Sequence, residues 1–291
     1  MLRLLIRLLS LLSLGSLYKI ADWLVFPFLY HICRYRRTVA YRNIGIAFPE
    51  WTEKQRQDLE KQSYKQLCSV LAESVYAWRA TPEAIHQRAR FDASLQIVFS
   101  EFEKHNMAIA QLSHLGCWEW LSNVAHRFNQ IGVRMLVVYR PVRNDKTNRL
   151  LCEFREKRGC EVVRERQVLR RLIEAKQNNE KILLAMLSDQ RPAPKTGRAK
   201  VDFFGMRMDF INGAEVLARK FHCSVFGLQV SSPQRGVYDV AIQRLKEADD
   251  DTQQGIITQR YAYLLEKNIK NRPALWLWTH NRFRDLGKTT N

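Results

Sequence analysis

The 291-residue chain has no C-x-x-C pair; its six cysteines, at positions 33, 68, 117, 152, 160 and 223, are scattered. That spacing excludes a zinc ribbon or a dithiol redox pair and suits a reducing compartment. Internal repeats, low-complexity tracts and Gly/Ser linkers are missing too, so composition alone does not divide the chain into modules. Carboxylates are scarce: 29 Asp and Glu stand against 47 Lys and Arg, a formal charge of +18, with a pI near 9.9. Such a balance implies a polyanionic partner, for which nucleic acid and an anionic membrane both qualify. A clean spanning run is absent. Leu4–Leu17 carries one charge, Arg7, but falls short of the roughly 20 apolar residues a span needs. No small-residue cleavage site follows it, which argues against a removed secretory signal.

Hydrophobic residues make up 46% of the chain, enough for a packed core. The expectation is one α/β domain with an amino-terminal appendage. From Leu2 to Cys33 the chain is dominated by Leu, Ile, Val, Phe, Tyr and Trp, interrupted by Arg3, Arg7, Lys19 and Asp22. Residues 1–35 read as a membrane-embedded or interfacial anchor, with Trp23, Tyr30 and Tyr35 near the headgroups. The alternative is an amphipathic helix packed on the core. Arg34, Arg36, Arg37 and Arg42 follow directly. By the positive-inside rule they put the remaining domain, residues 36–291, on the cytoplasmic side.

Beyond the anchor, Thr52-Glu53-Lys54-Gln55 has the form of a capping box opening a helix to about Trp78. Thr81-Pro82-Glu83 starts another, with proline at the first helical position. Strands and helices then alternate. Strands are expected at Met107–Leu112, Val133–Tyr139, Cys160–Val163, Lys181–Leu187 and Cys223–Val230. Helices are expected near Trp118–Ala125, Asn144–Lys157, Gln167–Gln177 and Asn212–Phe221. Trp276, Trp278 and His280 suggest an aromatic-rich closing strand, and Arg191–Arg198 a loop over the site. The alternation predicts an α/β fold, a largely parallel sheet flanked by helices. Ligand sites in such sheets lie at the carboxyl ends of the strands. His114, Arg140 and Asp189 each stand just past the end of an expected strand.

His114-Leu115-Gly116-Cys117-Trp118-Glu119 carries the chemistry. A spacing of five turns two side chains about 140° apart in a continuous helix. The histidine and the carboxylate therefore meet only if His114 sits in the turn and Glu119 in the first turn of the helix. The carboxylate then holds one imidazole nitrogen while the other takes a proton from a hydroxyl. Cys117 reads as a small packing residue.

Together these residues resemble the lysophospholipid acyltransferase superfamily, most closely the late, Kdo-dependent lipid A biosynthesis acyltransferases of Gram-negative bacteria. His114 to Glu119 fits the superfamily's histidine, four residues and an acid, and looks like this branch's H-x-G-N-W-E, with Cys117 where asparagine is common. Asn43 through Glu50 resembles its N-L-x-x-A-F-P-E segment. Tyr139-Arg140-Pro141 with Asn144 is similar to Y-R-P-x-x-N, Asp189-Gln190 to its D-Q pair, and Phe203-Phe204-Gly205 to its F-F-G turn. The resemblance runs from the anchor to Arg282. It implies acyl transfer from an acyl carrier protein thioester to a hydroxyl of a lipid A precursor at the inner membrane, with no metal and no cofactor beyond the donor. In that reading His114 is the general base, Glu119 orients it, and no covalent enzyme intermediate forms. Arg140, or backbone amides near Gly116, meet the oxyanion. Gly116, Asn144, Asp189 and Gln190 line the substrate site.

Rival readings fare worse. A metal hydrolase built on His105, His114, Glu119 and His126 lacks the H-E-x-x-H spacing that sets two imidazoles on one helical face. A nucleic-acid-binding protein would explain the charge but leaves the apolar amino terminus unused, and no recognition motif is present. Within the superfamily, a glycerophosphate, lysophospholipid or aminolipid acceptor is the remaining alternative. The stretch from Arg140 to Arg171, with eleven basic and five acidic residues, either receives acidic partners or is a solvated helix surface.

Overall fold

The computed structural model describes residues 2–142, 144–194 and 196–284. The leucine-rich start forms α1 (Leu2–Leu9) and α2 (Leu14–Ile20), capped by Ser13. The helix continues through π-helical turns at Ala21–Val25 and Phe28–Ile32. No single helix among the described residues is long and apolar enough to cross a membrane. Arg3–Leu9 and Leu14–Ile32 pass that test of length and composition only as a pair, bent by 120°. Half of this segment packs inward: Leu14, Leu17, Ala21, Phe26 and Tyr30 are buried in the main core. The other half, including Leu4, Leu5, Leu8, Trp23, Leu24 and Ile32, is exposed.

Next come α3 (Arg37–Ala47) and the long α4 (Glu53–Ala77). The expected capping box is formed in full. Thr52 Oγ1 accepts from the Gln55 amide, and the Gln55 side chain accepts from the Thr52 amide. Then follow α5 (Pro82–His86), β1 (Ala89–Phe91), α6 (Gln96–Lys104) and β2 (Met107–Leu112). A 3-10 helix at Trp118–Val124 leads into α7 (Ala125–Gln130). The order continues β3 (Val133–Tyr139), α8 (Asp145–Glu156), β4 (Glu161–Arg164), α9 (Val168–Gln177) and β5 (Lys181–Leu187). The hairpin β6 (Arg198–Phe203) and β7 (Met206–Ile211) precedes α10 (Gly213–Phe221), β8 (Ser224–Gln234), β9 (Val237–Lys246) and α11 (Ile256–Asn271).

Seven strands form one sheet in the order β1-β9-β8-β2-β5-β3-β4. Every neighbouring pair is parallel except β8 and β9, which run antiparallel. Alternate residues of the central strands enter different clusters. Met107 and Ile109 join Ile182 and Leu184 on one face with residues of α4, α10 and α11, whereas Ala108 and Ala110 join Leu183 and Ala185 on the other with α6 and α7. Burial on both faces makes these strands largely apolar, the mark of a helix-covered parallel sheet.

The expected closing strand and the expected loop are altered, and the expected F-F-G turn is formed. Trp276–His280 is no strand: after Pro273–Leu275, a 3-10 turn, Trp276 makes one isolated antiparallel bridge with Leu115. The expected loop does run from Arg191 into residue 197, but Arg198 already starts β6 (Lys195 lies outside the described residues). The F-F-G block is the two-residue connection of that hairpin, with Phe204 and Gly205 both at positive φ, 50° and 71°, as the strand twist favours.

Candidate active site

The site starts from register. On the adjacent parallel strands β2 and β5, Leu112 stands opposite Leu187. Each chain continues two residues past that pair, and there stand His114 and Asp189. Equal offsets from paired residues put the two side chains side by side at the carboxyl edge of the sheet. The Ser188 amide donates to the Leu112 carbonyl at 3.1 Å, prolonging the pairing. Tyr261 of α11 fastens the same place, donating to the Leu112 carbonyl at 2.7 Å and sharing a hydrogen with Ser113 Oγ at 2.9 Å.

His114 Nδ1 lies 2.7 Å from Asp189 Oδ1, and the His114 amide donates to Oδ2 at 3.1 Å. The Trp276 indole donates to the same Oδ2 at 2.9 Å. An ionised carboxylate only accepts, so Nδ1 carries the proton and Nε2 presents its lone pair. Gln190 meets Nε2 with its amide nitrogen at 3.3 Å. Trp118 stands edge-on to the imidazole, ring centroids 4.8 Å apart. The carboxylate is 2% exposed and the imidazole 13%, so the base is reachable while its partner is sealed. Burial by itself raises the Asp189 carboxyl. Electrostatic attraction to the His114 ring and the hydrogen bonds from that ring, the Trp276 indole and the His114 amide outweigh it and bring the group down to about 2.

A carboxylate whose pKa falls on folding stabilises the fold above its unfolded value, near 3.8, and loses that contribution as pH drops through its folded value. Wild-type protein should therefore be more stable than Asp189→Asn at neutral pH, with the gap narrowing between about pH 4 and pH 2. Denaturant titrations at a series of pH values measure it; a gap independent of pH would contradict the assignment.

The turn bearing His114 is pinned by the carboxyl-terminal segment. The Gly116 amide donates to the Leu275 carbonyl at 3.0 Å and the Leu277 amide to the His114 carbonyl at 3.1 Å. Gly116 has φ +56°, a conformation other residues rarely adopt. A Cβ there would lie within 2.7 Å of Tyr238 Cδ1 and closer still to Cε1. Asn43 of α3 holds the far end of the segment, donating to the carbonyls of Trp278 and His280 at 2.9 and 2.7 Å. Burial lowers the His280 imidazole to about 4, so it is neutral near pH 7.

The expected His114–Glu119 contact is replaced. Glu119 does sit in the first turn of the helix, but that helix is 3-10, and its carboxylate is taken by Arg155 of α8. Arg155 Nη2 approaches Oε1 at 2.5 Å and Nε approaches Oε2 at 3.0 Å. The pair is largely buried, each side chain 12% exposed. Asp189, just past the end of the neighbouring strand, is the acid that the imidazole meets. Arg140, just past the end of β3, has protein partners of its own. It is half exposed and forked onto Glu165 at 2.9 and 3.0 Å, with Thr196 Oγ1 at 3.2 Å. The Gly116 amide, the other expected donor, is committed to Leu275. Asn144 caps α8 by accepting from the Thr147 amide at 3.1 Å. Of the expected substrate residues, Gly116, Asp189 and Gln190 gather around His114, and Asn144 serves a helix end.

Sequence reasoning passes over Arg155, Trp276 and Tyr261. Arg155 is one of eleven basic residues in its stretch, Trp276 reads as part of a closing strand, and no motif marks Tyr261. Two concavities lie away from this chemistry. One of about 410 Å³ is at the amino ends of β3 and β5, beside Gly132 and Lys181. Another, of about 320 Å³, is bordered by Pro82, Asn123 and His126. The catalytic constellation decides the site, since a proton acceptor is useful only where its partner orients it.

A histidine with one nitrogen anchored on a sealed carboxylate and the other met only by the Gln190 amide is equipped to deprotonate a hydroxyl. A family model described as bacterial lipid A biosynthesis acyltransferase matches residues 4–285. The chain belongs to that family, which makes it an acyltransferase of lipid A and lipopolysaccharide biosynthesis. A search of curated proteins finds no match.

Proposed function

We propose that this protein transfers a fatty acyl group from an acyl carrier protein thioester to a hydroxyl of a lipid A precursor, with His114 as general base. The observation that carries this reading is the His114–Asp189 pair at the carboxyl edge of the sheet, in a chain of this family. The acceptor hydroxyl displaces the Gln190 amide from Nε2 and gives its proton to that nitrogen as its oxygen attacks the thioester carbonyl. Asp189 stabilises the imidazolium, as the acid does in the serine-protease triad. The tetrahedral oxyanion then collapses, the carbon–sulfur bond breaks, and the imidazolium returns its proton to the departing thiolate. The substrate supplies the nucleophile, so no acyl-enzyme is needed. The displaced Gln190 amide is a donor for the oxyanion, a role worth ~10²–10³ in rate for a single donor.

The exposed apolar face of residues 4–32 supports attachment at the inner membrane, with the catalytic domain on the cytoplasmic side. Leu4, Leu5, Leu8, Trp23, Leu24 and Ile32 face outward beside Arg3, Arg7 and Lys19, a composition suited to the interface of an anionic bilayer. Trp23 is 83% exposed. Changing Trp23, Leu24 and Ile32 together to serine should move the protein from pelleted to soluble in sedimentation with anionic vesicles. Unchanged partition would count against the attachment.

The test of function is direct. Purified protein is incubated with acyl carrier protein thioester and a lipid A precursor, and mass spectrometry looks for the gain of one acyl chain. Transfer to a lysophospholipid but not to the lipid A precursor would reassign the acceptor.

A further inference from the structure

Behind the His114 turn lies a buried carboxylate that the proposed chemistry does not use. Glu73 of α4 is fully buried. Tyr238, at the start of β9, donates to its Oε2 at 2.7 Å, and Tyr18 of α2 to its Oε1 at 2.8 Å. Gln66, two turns earlier on α4, donates to the Tyr238 hydroxyl at 2.9 Å. The Glu73 carbonyl accepts from the Trp120 indole at 3.0 Å, and the Cys117 thiol faces the carboxyl. Four parts of the chain thus meet at one residue: the amino-terminal helix, α4, the 3-10 helix after the His114 turn, and β9. The Tyr238 ring, held at its hydroxyl end by this cluster, lies against Gly116 through its Cδ1 and Cε1 atoms, where no Cβ has room.

The geometry points to Tyr238 as a positioning residue for His114: seated by Glu73 and Gln66, its ring fixes the Gly116 turn that aims the imidazole, and Tyr18 ties the amino-terminal helix to the same carboxylate. Glycine at positive φ is the softest point of that turn. The turn is held by single hydrogen bonds, from the Gly116 amide to Leu275 and from the Leu277 amide to His114, and the Tyr238 ring packs against its glycine. Placement matters because an error of about 1 Å at a catalytic group costs up to ~10²-fold in rate. The carboxyl needs its donors as well. Burial pushes Glu73 up, and the hydrogen bonds from Tyr238, Tyr18 and Cys117 oppose that rise. Losing one hydroxyl disturbs the whole cluster, because a half-satisfied buried network rearranges to recover its bonds.

The inference rests on the proposed general-base role of His114, and two readouts keep the two apart. The protein is taken full length in detergent micelles with ¹⁵N-histidine, and the His114 Nδ1–H resonance is assigned by its loss in His114→Ala. Tyr238→Phe keeps the ring and removes the hydroxyl; Glu73→Gln keeps the size and removes the charge. Each should shift or broaden that resonance and lower kcat about tenfold, with KM for the thioester within about twofold. Tyr18→Phe, at the edge of the cluster, should move the resonance the same way by less, and it serves if Glu73→Gln does not fold. Folded variants with lower melting temperature but unchanged resonance and kcat would leave Tyr238 a merely structural residue and overturn the inference. A wild-type protein that transfers no acyl group would instead sink the functional reading, while the resonance comparison still decides whether Tyr238 positions His114.

Discussion

His114→Ala should abolish nearly all acyl transfer while leaving the fold and thioester binding intact. A positioned general base contributes ~10²–10⁴ in rate, so kcat should drop by that factor with KM for the thioester little changed. The imidazole touches Asp189, Gln190 and Trp118, none of which is expected to hold the thioester's carrier. Its removal leaves Asp189 with donors from the Trp276 indole and the backbone amide of residue 114, so the carboxylate is not stranded. Thioester consumption measured by release of free thiol, beside a thermal melt, checks both parts. A variant retaining more than about a tenth of wild-type kcat would remove the base from the mechanism.

The second large effect separates the two acids. Asp189→Asn leaves the shape of the site but replaces an obligate acceptor by a group that can also donate, so the imidazole no longer has one enforced tautomer. In the serine-protease triad the corresponding change costs about 10⁴ in kcat; a drop of at least ~10² is expected here. Glu119→Gln acts elsewhere. It strands the Arg155 guanidinium in a largely buried position, and breaking such a pair costs about 3–5 kcal/mol of stability. The melting temperature should therefore fall sharply, while kcat of the folded fraction falls less than in Asp189→Asn. Arg155→Met with Glu119→Leu, which removes both charges, should recover much of that stability. If folded Glu119→Gln loses as much kcat as Asp189→Asn, Glu119 rather than Asp189 orients the base during turnover.

Much of the fold is legible in the order of residues along the chain. The apolar runs Met107–Leu112, Val133–Tyr139 and Lys181–Leu187 coincide with β2, β3 and β5, because a strand buried on both faces is apolar at most positions. Thr52 and Gln55 announce α4, since their mutual capping is a local matter. What escapes notice is long-range. The antiparallel strand β9 and the hairpin of β6 and β7 mix charged and apolar residues, and their pairing depends on partners far along the chain. The closing Trp276–His280 looks strand-like in composition, yet it works as a strap over the His114 turn, bridged once at Leu115.

The site divides in the same way. His114 is evident from the residues around it: the apolar strand before it, the glycine after it, and the exposed end of the sheet where the two meet. The identity of its carboxylate is not. Glu119 is five residues away and Asp189 seventy-five, and nearness in sequence favours the wrong acid. The sheet places β5 beside β2 with Leu187 opposite Leu112, and α8 brings Arg155 to claim Glu119. Local order along the chain specifies strands, caps and a reactive histidine, because those depend on neighbours within a few residues. Which acid meets the imidazole depends on strand order and register, which are settled only when distant segments bury their apolar faces together.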